Sequence, residues 1–270
     1  MKASHFLLAI ACTISLVGCA STKQTDSVSN LEKAQETLGS LYQNYSIKDS
    51  HLLHENYPFD EQYEVTYLAS IEQTNIPNQF SYLWPYSGTF SAVNALFEAT
   101  HDKKYLRLLD KRVLPGLEEY FDTQRTPNAY SSYIQTAPAS DRFYDDNVWL
   151  GIDFTDIYQI TGEQKYLDKA QLIWKFIESG TDNLLGGGIY WCEQKKESKN
   201  TCSNAPGSVL AFKLFKATND SVYFKQGKDL YEWTQKNLQD STDYLYFDNI
   251  RLDGKIGKAK FAYNLSLIHI

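Results

Sequence analysis

The feature that most constrains this chain is an internal repeat. Three segments share one pattern: Leu96-Phe97 … Thr100-His101-Asp102 … Tyr105-Leu106, then Ile157-Tyr158 … Thr161-Gly162-Glu163 … Tyr166-Leu167, then Leu214-Phe215 … Thr218-Asn219-Asp220 … Tyr223-Phe224. Each holds an apolar pair, a Thr, a short polar turn with an acid, and a Tyr followed by an apolar residue, at offsets of roughly 61 and 57 residues. The pattern reads as the corner of a helical hairpin. One helix ends near the Thr, and the acid lies in the first turn of the next, where the helix dipole favours negative charge. In the second copy Leu167, Ala170, Ile173, Trp174 and Ile177 recur at the spacing of an amphipathic helix. In the third, Tyr231, Trp233 and Leu238 continue it less regularly.

Strand signals are thin. Gly186-Gly187-Gly188 followed by Ile189-Tyr190-Trp191 reads as a turn into a short extended piece, as does Tyr244 to Ile250 before Asp253-Gly254. Stacked hairpins of this period predict an all-α toroid, with inner helices lining a centre and outer helices packed around them; a flat bundle or open solenoid is the alternative. Six hairpins would need roughly 350 residues. The chain has 270, so about four hairpins are expected, in a ring that is either smaller or incomplete.

Residues 1–19 are set aside as an export leader. Lys2 is followed by the apolar run Phe6 to Val17 and by Leu16-Val17-Gly18-Cys19. That run is shorter than the ~20 apolar residues of a spanning helix. Its ending looks like a bacterial lipobox, which makes Cys19 the lipidated residue, with an ordinary leader as the alternative. Residues 20–30 are polar and read as a tether, and 31–264 as one domain. An exported chain anchored this way is expected at the outer membrane, because Ala20 after Cys19 is no inner-membrane retention signal.

Cys192 and Cys202 remain in the domain. In an oxidising compartment they are expected to pair as a disulfide closing a short polar loop, and a metal site is the poorer rival for want of a nearby histidine. His51, His54 and His101 also lack partners at metal-ligand spacing, so no metal is expected. A net charge of -7 argues against nucleic acid as a partner.

The strongest chemical signal is Phe143-Tyr144-Asp145-Asp146-Asn147-Val148-Trp149, at the start of the helix that runs into the second corner. Adjacent Cα atoms lie ~3.8 Å apart and successive helical side chains splay by about 100°. Two such carboxyls can sit on the order of 5 Å apart, the separation a retaining glycosidase needs, whereas an inverting enzyme needs ~6.5–9.5 Å. Mutual repulsion raises one pKa, keeping one acid protonated for the leaving oxygen. The bland alternative is a pair of helix-capping acids. Repeat arithmetic places Trp84-Pro85-Tyr86-Ser87, Asp145-Asp146-Asn147 and Cys202-Ser203-Asn204 at equivalent helix starts, expected on one rim. From these, Trp84, Tyr86, Tyr144, Asn147, Trp191, Ser203 and Asn204 are candidate sugar contacts, through ring stacking or hydroxyl bonds.

With those residues in view, the chain resembles glycoside hydrolase family 76, the endo-acting α-1,6-mannanases, in a bacterial lipoprotein form. The matching pieces are Phe143 to Trp149, Gly187-Gly188-Ile189-Tyr190-Trp191-Cys192, Thr201-Cys202-Ser203-Asn204-Ala205-Pro206, and Asp248-Asn249-Ile250 with Asp253-Gly254. They stand in order between about Gln79 and Asn264. The resemblance implies an (α/α)6 barrel, a retaining mechanism on α-mannan and no cofactor. It also implies Asp145 as nucleophile and Asp146 as general acid/base, in a monomer. After Phe261-Ala262-Tyr263-Asn264 the family pattern would continue, but residues 265–270 read Leu-Ser-Leu-Ile-His-Ile. That tail is expected to be non-native and the barrel partial. The competing functional readings are another (α/α)6 carbohydrate-active enzyme, such as an inverting hydrolase or an epimerase, and a non-catalytic glycan-binding lipoprotein.

Overall fold

The computed structural model describes residues 29–63 and 79–267, with the backbone alone for 265–267. The leader, the Cys19 lipidation site, most of the tether and the last three residues lie outside the described residues. No described helix is long and apolar enough to cross a membrane.

The corners form as the repeat predicts, and three inner helices of equal length result. α2 (Leu83–Thr100), α5 (Tyr144–Thr161) and α7 (Thr201–Thr218) each end at the Thr of the motif. In every copy the Thr Oγ1 donates back to the carbonyl four residues earlier, Leu96, Ile157 or Leu214. The same oxygen accepts the backbone N–H two residues on, from Asp102, Glu163 or Asp220, at 3.2 Å each time. The residue between adopts left-handed backbone, with φ of 53° at His101, 72° at Gly162 and 58° at Asn219. This is the usual way to turn a helix end while satisfying its last carbonyls.

The following helices form the outer layer. α3 (Lys103–Leu108) continues through a π-helical turn, Leu109–Val113, into α4 (Leu114–Glu118). α6 (Gln164–Ser179) and α8 (Ser221–Leu238) are its longer members. Asp102 and Asp220 cap α3 and α8 by accepting from Lys104 and Val222 N–H, whereas Glu163 leaves α6 without a side-chain cap. α1 (Asn30–Tyr45) precedes the first inner helix and opens on a capping box between Ser29 and Glu32. α9 (Ala262–Leu267) begins after the last outer helix.

α5 packs between α2 and α7, with α6 and α8 behind α5 and α7 and with α9 against α7. Phe90 and Phe154 meet edge to face at 4.9 Å across the α2–α5 contact. The α5–α7 contact is closer. A Cβ on Gly151 would stand 2.5 Å from a Leu210 methyl, so a larger residue there would push the Leu210 side chain aside. Each fully buried Phe or Leu in this wall contributes roughly 1.5–3 kcal/mol.

Among the described residues strand lies in the loops between helices. β1 (Phe121–Asp122) pairs with β2 (Ala129–Tyr130) before α5. β3 (Ser198–Asn200), which leads into α7, pairs with β4 (Asn249–Arg251), and β4 with β5 (Ile256–Gly257) around a turn at Gly254, φ 81°. The expected extended piece at Ile189–Trp191 appears only as isolated bridges, Thr181 to Ile189 and Phe143 to Cys192.

Candidate active site

Because the inner helices share length and register, their first turns open on the same side of the wall. Trp84, Asp145 and Cys202 occupy matching positions there. Trp84 is 52% exposed. The Cys202 thiol lies against the Asp145 carboxylate and is held well above the usual thiol range by burial and by that neighbouring charge.

Asp145 and Asp146 stand in the first turn of α5. Asp145 Oδ2 accepts the Trp191 indole N–H at 3.2 Å. Burial pushes the Asp145 pKa up to about 6, against the opposing effect of the Cys202 and Trp191 donors. Asp146 is pushed well above the carboxylate range, by burial first and by the charge of Asp145 second. Among the described residues no lysine, arginine or histidine pairs with either carboxylate. The two therefore share one negative charge over the neutral range, and Asp145, which has the donors, takes it more readily.

Beside the dyad is a cavity of about 410 Å³ lined by Trp84, Pro85, Ser87, Gly88, Ser91, Trp149 and Tyr263. Trp149 follows Asp145 by one helical turn, and its indole N–H donates to the Tyr263 hydroxyl at 2.9 Å, tying α5 to α9. The Tyr263 hydroxyl is itself pushed above its ordinary range by burial and by Asp145, Cys202 and Asp146 nearby. The sequence places Trp149 and Tyr263 in recognisable motifs without marking either as a sugar contact. The signal for Trp149 was its four-residue spacing from Asp145, which puts both on one helix face; Tyr263 carried no local signal beyond its motif.

Several expected sugar contacts are structural instead. Asn147 accepts from Tyr130 N–H and donates to the Tyr130 and Phe143 carbonyls, at 2.8–2.9 Å. Asn204 does the same to Ile189 N–H, Ile189 carbonyl and Asn200 carbonyl, at 2.6–2.8 Å. Tyr86 is buried, with its hydroxyl donating to the His51 and Val113 carbonyls. These three sit two residues beyond Trp84, Asp145 and Cys202, so the helix rotates them by ~200° away from the rim side chains. Tyr144, one residue before Asp145, is turned the other way and stacks on Phe176 of α6 at 4.6 Å. Ser203 is fully buried in α7, so it offers no surface to a sugar. Trp84 and Trp191 remain on the dyad side, Trp191 through its bond to Asp145.

The expected disulfide is not made. Both thiols are free: Cys192 lies 3.8 Å from Gln194 Oε1, and Cys202 lies against Asp145.

Comparison with known proteins places this geometry. The family model described as Glycosyl hydrolase family 76 matches residues 58–268. No curated protein matches the chain. Among solved structures, a family 76 glycoside hydrolase from a bovine Bacteroides thetaiotaomicron strain is 30% identical with a TM-score of 0.76, over 88% of this chain and 50% of that one. A family 76 mannosidase from Bacteroides thetaiotaomicron is 30% identical with a TM-score of 0.75, over 88% and 64%. An α-1,6-mannanase variant from Salegentibacter sp., inactive through replacement of two consecutive aspartates by alanine, was solved with α-1,6-mannotetrose. It is 25% identical with a TM-score of 0.68, over 88% and 61%. The chain thus spans about half to two thirds of the length of the structures it matches.

Proposed function

The chain belongs to glycosyl hydrolase family 76, and on that premise we propose that it hydrolyses α-1,6-mannosidic bonds within mannan with retention of anomeric configuration. The observation that carries the proposal is the unequal pair at the start of α5. Asp145 has an indole donor and the lower pKa, while Asp146 is held protonated by burial and by its neighbour.

These states fit the two steps of retention. Asp146 gives its proton to the glycosidic oxygen as that bond breaks, and the Asp145 carboxylate bonds the anomeric carbon. Asp146, now ionised, takes a proton from water as the water displaces Asp145. Each step inverts the centre, so the α configuration is restored. Trp84, Trp149 and Tyr263 beside the dyad supply the flat apolar faces on which sugar rings pack. The inactive Salegentibacter variant supports the reading, because two consecutive aspartates were removed from it.

Incubation with linear α-1,6-mannan, followed by ¹H NMR from the first minutes, tests the reaction. The expected result is oligomannosides born as the α-anomer that mutarotate later. A β-anomer at the outset overturns retention, and an intact polymer overturns the activity.

On the same reading the protein works as an exported monomer anchored by a lipid on Cys19 at the outer membrane. Labelled palmitate incorporated into the wild type and not into Cys19→Ala is the expected result, and equal labelling contradicts it.

A further inference from the structure

The chain that enters α5 is fastened to the loop carrying Trp191 by more than a turn requires. Arg142, with a fully buried side chain, forks onto Glu193, Nε to Oε2 at 2.7 Å and Nη2 to Oε1. A planar guanidinium on a carboxylate in this two-bond arrangement fixes direction as well as distance. The guanidinium lies 4.9 Å from the Phe176 ring centroid, and its Nη1 donates to the Pro127 carbonyl at 2.9 Å. The backbones are zipped on either side: Glu193 N–H donates to the Arg142 carbonyl at 3.0 Å and Tyr144 N–H to the Trp191 carbonyl at 2.9 Å. Arg142 N–H also donates to Gln194 Oε1 at 2.7 Å. Between these fastenings the Phe143 and Trp191 rings pack at 5.1 Å, and the Trp191 indole reaches Asp145.

Glu193 touches none of the groups at the dyad, yet it anchors the loop only two residues from the indole. We propose that Glu193 is a positioning residue: through its fork with Arg142 it holds the Trp191 indole N–H on Asp145, and so keeps that carboxylate aimed as the nucleophile. The inference rests on the hydrolase reading for the word nucleophile, but not for the geometry. Removing the Glu193 charge undoes the fork and leaves the backbone pairs and the Gln194 bond to hold the loop alone; a shift of the indole then leaves Asp145 facing Asp146, Cys202 and Tyr263 with one donor fewer. Loss of a hydrogen bond to the charged form makes that form harder to reach. Drift of about 1 Å at a reacting group costs on the order of 10²-fold in rate.

The test follows the Trp191 indole ¹H–¹⁵N resonance, identified by its absence in Trp191→Phe, through a pH titration of wild type, Glu193→Gln and Glu193→Ala. Glu193 is 20% exposed and Gln preserves its shape, while Asp122 Oδ2, 3.5 Å from Arg142 Nη1, still faces the buried guanidinium in either variant. In the wild type the resonance is expected to move with a midpoint near the Asp145 value of about 6. In both variants the midpoint rises or the pH response disappears, and kcat on α-1,6-mannan falls by about tenfold or more while KM stays within about twofold. An unmoved midpoint in both variants overturns the proposal, even if kcat falls with stability. A wild type that titrates and responds to Glu193 but leaves mannan intact sinks the hydrolase reading and leaves the positioning role standing.

Discussion

Asn147 and Asn204 make the same three hydrogen bonds in successive hairpins. Each side chain accepts one N–H and donates to the carbonyl of the same residue in the preceding loop, Tyr130 or Ile189, and donates also to the carbonyl four residues back in its own chain. A single buried amide thus completes the loop and the helix start together. Replacement by Ala strands buried backbone groups at ~1–3 kcal/mol each. Asn147→Ala and Asn204→Ala are each expected to lose on the order of 3 kcal/mol in urea unfolding. Losses below about 0.5 kcal/mol, the scale of a neutral surface change, would show that these bonds do not hold the wall.

A second expectation concerns the pH dependence of turnover. The rate should rise as Asp145 ionises, near pH 6, and fall at higher pH as Asp146 gives up its proton. The two limbs belong to the pair rather than to either residue alone. Asp146→Asn, assayed on an aryl mannoside whose leaving group needs no proton, should form the glycosyl-enzyme and stall before hydrolysis. A kcat/KM profile without an acid limb would contradict the assignment of an ionised Asp145.

Asp153, two turns along α5 from Asp146, is a buried acid outside the dyad. Its Oδ2 accepts the Ser91 hydroxyl at 2.7 Å, and burial pushes its pKa up to about 8, with Asp156 adding to the rise and Lys213 opposing it. The folded state therefore holds this proton more tightly than the unfolded chain does. Its contribution to stability is full below pH 3.8 and is lost as pH rises towards 8. Asp145 and Asp146 act with the same sign. Asp153→Asn is expected to flatten part of that decline in unfolding free energy measured from pH 4 to pH 8. An unchanged slope would mean that Asp153 is already ionised in the fold.

The corners were legible because Thr100, Thr161 and Thr218 act locally. Each bonds within four residues of itself, so its role is written in the adjacent sequence. The dyad was legible for the same reason, as a pair in one helical turn. Tyr86, Asn147 and Asn204 were misread because repeat arithmetic marks the helix start but not the face. One more residue swings a side chain by ~100°, from the rim into the wall. Tyr263 and the Arg142–Glu193 fork were out of reach, since they depend on segments 114 and 51 residues apart meeting in space. Cys192 and Cys202, an even pair in a chain expected to be exported, are free thiols here, with Gln194 and Asp145 as their neighbours.

If Asp145 bonds the anomeric carbon while Asp146 handles the proton, only Asp145 becomes covalently joined to the sugar. The most direct measurement treats the protein with a fluorinated mannosyl donor that forms the glycosyl-enzyme quickly and releases it slowly, then maps the labelled peptide by mass spectrometry. One mannosyl unit is expected, attached to Asp145 in the Phe143 to Trp149 segment and absent from Asp145→Asn. Label on Asp146, or none from an enzyme that turns over mannan, would contradict it.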